Sequence, residues 1–433
     1  MDSDGGYSHL KKRTVLVSFI IMIALVLSGC GITSSIEELL VAPSLDDRQT
    51  AVLDALERNH MNRITFVYPF TGDNRSAIQQ YDIDSDGEEE IIVFFRDPSE
   101  GLNASLSILE PRSGSSYFVA STEEGFGDSV NSVFYLNSAA GENVILVEWS
   151  SPSKSSNTIS VYTYVNYDLA VGFEENSLDL LILDLDKNQF SEFCYIIPAS
   201  SEAGFALKYV RSSENMIFSR SQYNLSSYAS GVAAVRQGVI GNGKRAIFVD
   251  ESLEDGLQTE IFVLSEDRSR LIRADEMIDS LDPVKLSYRS SASGLLCREL
   301  GETTCFPSSR APSQNIFAPD TWTYWYTLEE ANVIHVRTTY YSEKSGILFA
   351  IPDSWAEYAD VRVMSDNHFE IIDGNTEERI ASVVTLSVDD NIFDYIVDGY
   401  SLVGTNGTTR YYLSIDASQE DETYIRDSFV VLE

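Results

Sequence analysis

The chain has 433 residues, with 67 acidic and 30 basic side chains, a net charge of −37 and 43% apolar content. Such a charge opposes nucleic acid, or an anionic membrane surface, as a partner of the protein body, and it favours cations. Four cysteines without Cys-x-x-Cys spacing give no zinc signature.

In chain order, Lys11, Lys12 and Arg13 form a basic n-region, and Val15 to Leu27 is an almost unbroken apolar run. A spanning helix needs ~20 apolar residues, so this run fits the h-region of a secretory signal better than a membrane span. Leu27-Ser28-Gly29-Cys30 follows directly and matches a bacterial lipobox, where cleavage precedes a cysteine that receives diacylglycerol. Residues 1–29 are therefore expected to be a lipoprotein signal peptide, and residues 30–48 the lipidated Cys30 with its tether. That places the chain outside the cytoplasm, held to the bacterial membrane by its lipid. Asp46 and Asp47 can cap a following helix with Val52, Leu53 and Leu56 on one face.

From Ile64 the pattern changes to short β-type runs separated by Gly, Asn, Asp and Ser. Four runs look like one unit repeated at about 40–65 residues, within the range of propeller blades. They are Glu89 to Phe95 after an acidic loop, Val144 to Trp149, Leu178 to Leu183 before Asp184-x-Asp186-x-Asn188, and Ala246 to Asp250 after Gly241-Asn242-Gly243. An eroded fifth unit is expected around Gly294 to Cys297. Two packed sandwiches are the structural alternative.

The acidic loop carries the clearest chemistry. Asp82, Asp84 and Asp86 alternate, Gly87 supplies a sharp turn, and Glu88 and Glu90 follow before the strand. Alternating carboxylates with a glycine at position six can wrap a hard cation that prefers oxygen ligands. Val93 stands where an EF-hand would place its bidentate Glu. Loop and strand together closely resemble the calcium loop of FG-GAP/VCBS-type propeller repeats, as found in bacterial lipoproteins. The resemblance implies a propeller-like fold, cell-surface location and structural Ca2+ at Asp82, Asp84, Asp86, Glu88 and Glu90. It implies no reaction. Asp184, Asp186, Asn188 and Glu192 alternate similarly, but Gln189 stands where glycine belongs, so a plain hairpin turn is expected there. Asp250, Asp255 and Glu260 rank lower.

Cys297 and Cys305 are close enough in sequence for a disulfide across a hairpin in an oxidising compartment, whereas Cys194 reads as a core residue. Residues 311–340 read as a connecting segment, broken by Pro312 and Pro319, although Trp322-Thr323-Tyr324-Trp325-Tyr326 is too aromatic for a linker. Packing against an edge, or an exposed aromatic platform for sugars, are the two readings. Residues 341–433 are expected to form a small α+β domain, with a hairpin turn at Asn406-Gly407 and a C-terminal helix from Ser418.

The expected fold is mainly β: an N-terminal helix and propeller-like repeat domain over 49–310, then the small α+β domain. No nucleophile elbow, His-Glu-x-x-His or phosphate loop occurs, and His60, His335 and His368 are isolated. Ser151-x-x-Lys154 lies in a polar loop. A non-catalytic surface protein that binds a protein or glycan partner is the first expectation. A carbohydrate-active hydrolase or lyase using paired carboxylates is the alternative, since distant carboxylates leave no local signature.

Overall fold

The computed structural model describes residues 47–431 apart from 60–63, 100, 113–115, 138–142, 200–203, 214–215, 255, 275–294, 309–321, 331, 343–344, 357, 390–398 and 417–418. The expected signal segment, residues 1–29, and Cys30 thus lie outside the described residues. Among those residues, no helix is long and apolar enough to cross a membrane.

The chain divides into a smaller unit, residues 1–61 with 111–119, and a larger one, residues 62–110 with 120–433. In the smaller unit the helix Asp47–Arg58 buries Val52, Ala55 and Leu56, and Arg58 donates to the Tyr117 carbonyl at 3.0 Å. Asp47 in its first turn and Arg58 in its last complement the helix dipole.

The rest is antiparallel β-sheet, as the short apolar runs between turn residues require. In chain order, the first sheet holds Thr65–Phe66, Ile78–Tyr81, Glu90–Arg96, Ser105–Arg112 and Ser116–Glu124, with the first two strands both pairing to Glu90–Arg96. The second holds Ser129–Asn137, Asn143–Ser150, Asn157–Val165 and Asp168–Ser177; the third holds Asp179–Leu183, Glu192–Pro198, Phe205–Ser213 and Met216–Asn224. The fourth comprises Gly231–Val239, Arg245–Leu253, Gly256–Leu264 and Leu271–Arg273. In the second, third and fourth sheets, each strand pairs with its neighbours in sequence, so these are plain meanders.

Successive sheets pack face to face. One cluster joins Ile92, Phe94 and Leu106 of the first sheet to Ile145 and Val147 of the second. The opposite face of the second, through Val144 and Leu146, meets Phe193 and Tyr195 of the third. The other face of the third, through Cys194 and Ile196, meets Ile247 and Val249 of the fourth. A larger cluster continues from Phe248 through the fifth sheet to Phe369 and Leu413 of the sixth. Inner strands are therefore buried on both faces, and Ile91 to Phe95 is a continuous apolar run with no exposure. Gly238 permits one close approach: a Cβ there would stand 2.3 Å from Thr304 Oγ1 and 2.7 Å from the Phe248 ring.

The fifth sheet changes the expected picture of residues 311–340. It orders Arg298–Leu300, Thr303–Ser308, Trp322–Glu329, Asn332–Ser342, Ile347–Ile351 and Val430–Val431. Trp322, Tyr324, Trp325 and Tyr326 are all buried in it, so the run is core and not an exposed sugar platform. Its continuous aromatic character comes from burial on both faces. Tyr324 and Tyr326 enter the large cluster, and Trp325 the opposite one. The sixth sheet runs Ala359–Ser365, His368–Asp373, Arg379–Ser387, Thr409–Ile415, Ser401–Asn406, with Gly407 at φ 54° in the hairpin turn. The helix Gln419–Ser428 follows, and Ser428 Oγ accepts from the Ala350 amide at 2.8 Å.

Candidate functional site

The acidic loop joins two paired strands, Ile78–Tyr81 and Glu90–Arg96, which meet at Tyr81↔Glu90. Its backbone is wound around its own carboxylates. The Gly87 amide donates to Asp82 Oδ2 at 3.1 Å, Asp86 N to Asp84 Oδ1 at 3.2 Å, and Glu88 N to Asp86 Oδ1 at 2.8 Å. Glu90 closes the loop by accepting from Ile83 N at 2.8 Å, while the buried Ile83 side chain holds it to the core. Ser85 and Gly87 take left-handed φ of 63° and 93°. Asn143, which opens a strand of the next sheet, donates to the Asp82 carbonyl at 3.1 Å and to Ser85 Oγ at 3.0 Å.

Oxygens of Asp82, Asp84 and Asp86 lie within 4.8 Å of one another, and so do oxygens of Asp84, Glu90 and Glu110. Opposite oxygens around a calcium ion stand about 4.6–5.2 Å apart, twice the usual Ca–O distance, so each group by itself fits an ion's reach. Glu88 belongs to neither group. Glu110 replaces it. It follows Leu109, the cross-strand partner of Ile91, and accepts from the Tyr164 hydroxyl. No local motif announces Glu110, because strand register and not spacing brings it beside Glu90.

The electrostatics ask for positive charge. Burial, and next the neighbouring carboxylates, push the Glu90 carboxyl up to about 7 against its backbone hydrogen bond. Burial also raises Glu110, opposed by the Tyr164 hydrogen bond. Among the described residues, no Lys or Arg forms an ion pair with this group. Asp82 Oδ1 is buried without a hydrogen-bond partner. A buried carboxylate oxygen with nothing to accept from is costly unless a cation or water completes it. The residues therefore fit a hard, oxygen-preferring cation.

Residues 184–192, where a plain hairpin turn is expected, wind in the same way as the first loop. Leu185 N donates to Glu192 Oε2 at 2.9 Å, Asn188 N to Asp186 Oδ1 at 3.2 Å, and Phe190 N to Asn188 Oδ1 at 2.8 Å. Lys187 and Gln189 take φ of 58° and 71°, so Gln189 occupies the glycine's left-handed position despite its side chain. The equivalence extends to the next sheet. Arg245 donates to the Asp184 carbonyl across 61 residues, the same separation as Asn143 to Asp82. Its guanidinium also pairs with Asp184 Oδ2 at 3.3 Å. Among the described residues no Lys or Arg pairs with the first loop, whereas the second has a guanidinium built in. The matching strand in the third sheet is Glu192–Pro198, after the loop, and not the Leu178 to Leu183 run.

The lesser candidates disperse. Asp250 is fully buried and accepts from Thr259 Oγ1 and from Cys297 N at 2.9 Å. Glu260 pairs with Arg273 at 2.9 Å, and Asp255 lies outside the described residues. The Cys297–Cys305 bridge is not formed: both thiols are free and buried, in clusters on opposite faces of the fifth sheet. Burial raises Cys305 and Cys194, so neither is a ready nucleophile. His335 lies against Tyr324 and Tyr326, and His368 shares a hydrogen bond with Ser382 at 2.9 Å. Both serve packing.

No family model matches the chain, and no curated protein matches it. Solved structures give distant likenesses. A rhamnogalacturonan lyase, YesW, is 11% identical over 49% of this chain and 62% of its own, with a TM-score of 0.23. A second rhamnogalacturonan lyase, from Bacillus licheniformis, is 11% identical over 64% of this chain and 62% of its own, with a TM-score of 0.23. MPT-1, a GDP-Man-dependent mannosyltransferase from Leishmania mexicana, is 11% identical over 66% of this chain and 94% of its own, with a TM-score of 0.21. The chain thus spans about three fifths of the length of the lyases it matches. With lyases among these matches, the expectation of a non-catalytic protein is corrected and does not stand. TM-scores this low carry no argument for a particular reaction.

Proposed function

We propose that this is a lipid-anchored, extracytoplasmic protein with a propeller-like stack of sheets, stabilised by calcium at the Asp82–Glu90 loop and directed at carbohydrate. One observation carries the calcium reading: the buried, unpartnered Asp82 Oδ1 among clustered carboxylates that no Lys or Arg of the described residues pairs with. Asp82, Asp84, Asp86, Glu90 and Glu110 would hold the ion, which there neutralises charge and fixes a turn. One oxygen of Glu90, Oε2, accepts from the Ile83 amide, as Glu192 Oε2 does from Leu185, so each glutamate also staples its loop. The propeller reading draws support from meandering sheets that follow in chain order and pack face to face. The anchor rests on Leu27-Ser28-Gly29-Cys30 and the apolar run before it.

The carbohydrate part takes up the alternative reading of the sequence. The sugar-active names of the matched structures guide the choice of ligands to try and are not an argument for them. Calorimetric titration with calcium tests the first part. One ion is expected for the wild type and none for Asp84→Ala/Asp86→Ala; equal binding by both would refute the site. Incubation with acidic and neutral polysaccharides tests the second part, by retention of the sugar or release of shortened products. Neither event with any polysaccharide would remove carbohydrate from the reading.

A further inference from the structure

Positive charge is scarce in this chain, yet it gathers around one cavity. The cavity has a volume of about 300 Å³ and lies where the second loop meets two turns of the fourth sheet. Lys187 comes from the loop, Lys244 and Arg245 from the turn before Arg245–Leu253, and Arg268 from the turn after Gly256–Leu264. Four cationic side chains thus line it against two carboxylates, Asp186 and Glu266, in a chain where acids outnumber bases 67 to 30.

Much of this lining is fixed in place. Arg245 is held by Asp184 at 3.3 Å, and Lys187 Nζ donates to the Gly243 carbonyl at 3.3 Å. Both oxygens of Asp186 accept from Asn188, which occupies one of the two carboxylates inside the loop. Arg268 sits at φ 56° on a turn pinned by Asp267, which accepts from Ser265 Oγ at 2.6 Å and Ser269 N at 3.0 Å. Arg211 donates to the Arg268 carbonyl and brings a further guanidinium to that turn. Among the described residues, neither Lys244 nor Arg268 forms an ion pair. Their charge is available to a ligand.

We propose that this cavity binds a carboxylated sugar residue, a uronic acid, with its carboxylate on Lys244 and Arg268. Leu264, half-buried in the lining, adds apolar surface for the sugar ring. A bare inorganic oxyanion would need no such surface, and the volume is at the small end for organic ligands, as one sugar residue requires. The sugar rests on the carbohydrate reading above; the charge of the cavity stands without it.

The test is calorimetric titration of the purified chain with trigalacturonate, a neutral trisaccharide and sodium sulfate. Lys244→Ala/Arg268→Ala and the charge-keeping Lys244→Arg/Arg268→Lys are titrated beside it. Both replaced side chains are exposed, and thermal melts confirm that the variants fold. Trigalacturonate is expected to bind the wild type. Its affinity should fall by about tenfold or more in the alanine variant, the scale of lost hydrogen bonds to charged groups, and be retained in the charge-keeping one. Undiminished binding by the alanine variant would place the sugar elsewhere and overturn the cavity while leaving the carbohydrate reading intact. Equal binding of the neutral trisaccharide would overturn recognition of the acid. Sulfate binding that the alanine variant loses, with no sugar bound, would overturn both the uronic acid and the carbohydrate reading.

Discussion

At the scale of single residues, the two acidic loops show which positions matter for shape and which for charge. Glu90 and Glu192 do one job, closing the loop onto the amide seven residues before. Gly87 and Gln189 occupy one left-handed position. A Cβ on Gly87 meets nothing within 4 Å, so Gly87→Ala should cost backbone strain alone, about 1–2 kcal/mol. Gln189→Gly should recover part of that strain, roughly 0.5–1 kcal/mol after the added unfolded-state entropy. Urea unfolding of both variants checks this, and opposite signs are expected. Glu251 gives a pH dependence away from the loops. Burial, and next the Glu260 charge, lift its carboxyl to about 8 in the folded protein. A carboxyl raised on folding leaves stability intact below its unfolded value near 4.5, and stability is then lost as pH rises towards 8. Glu251→Gln keeps an acceptor for the Ser226 amide and should flatten melting temperature against pH over that window. An unchanged slope would assign the dependence to other groups.

At the scale of elements, the alternating aspartates and the strand after them were legible at Asp82 because both signals coincide there. The second loop was hidden by one residue, since Gln189 breaks the glycine rule while the backbone adopts the turn regardless. Surrounding contacts explain this: Leu185 is buried, Glu192 closes the loop, and Arg245 grips Asp184. Arg245→Ala should therefore loosen the second loop without touching the first. Because the pair with Asp184 is partly exposed, the expected cost is below about 1 kcal/mol. Amide exchange should speed up at Leu185 and Asn188 and stay unchanged at Ile83. Glu110 was not legible, since register across a hairpin and not local spacing sets its place. The fifth sheet was misread for a related reason. Burial on both faces erases the polar–apolar alternation that marks a strand, and Trp322 to Tyr326 then looks like something other than sheet.

At the scale of the whole chain, turn residues between short apolar runs announced a mainly β protein, while the stacking of its sheets depends on both faces of each inner strand. Phe193 and Cys194, adjacent in sequence, point into different clusters shared with different neighbouring sheets. Tight faces tolerate little change. Gly238→Ala would push a methyl into Thr304 and Phe248, and overpacking of this kind costs typically about 1–3 kcal/mol. The measurement that bears most directly on the central claim is the thermal melt in calcium and in chelator, beside Asp84→Ala/Asp86→Ala. An ion at a hundred times its dissociation constant adds about 2.7 kcal/mol to the native state, enough to move the midpoint by a few degrees. Calcium should raise the midpoint of the wild type and leave the variant unmoved. A wild-type midpoint that is the same in calcium and in chelator would contradict the site, and the Asp82 loop would then be an acidic turn without a metal.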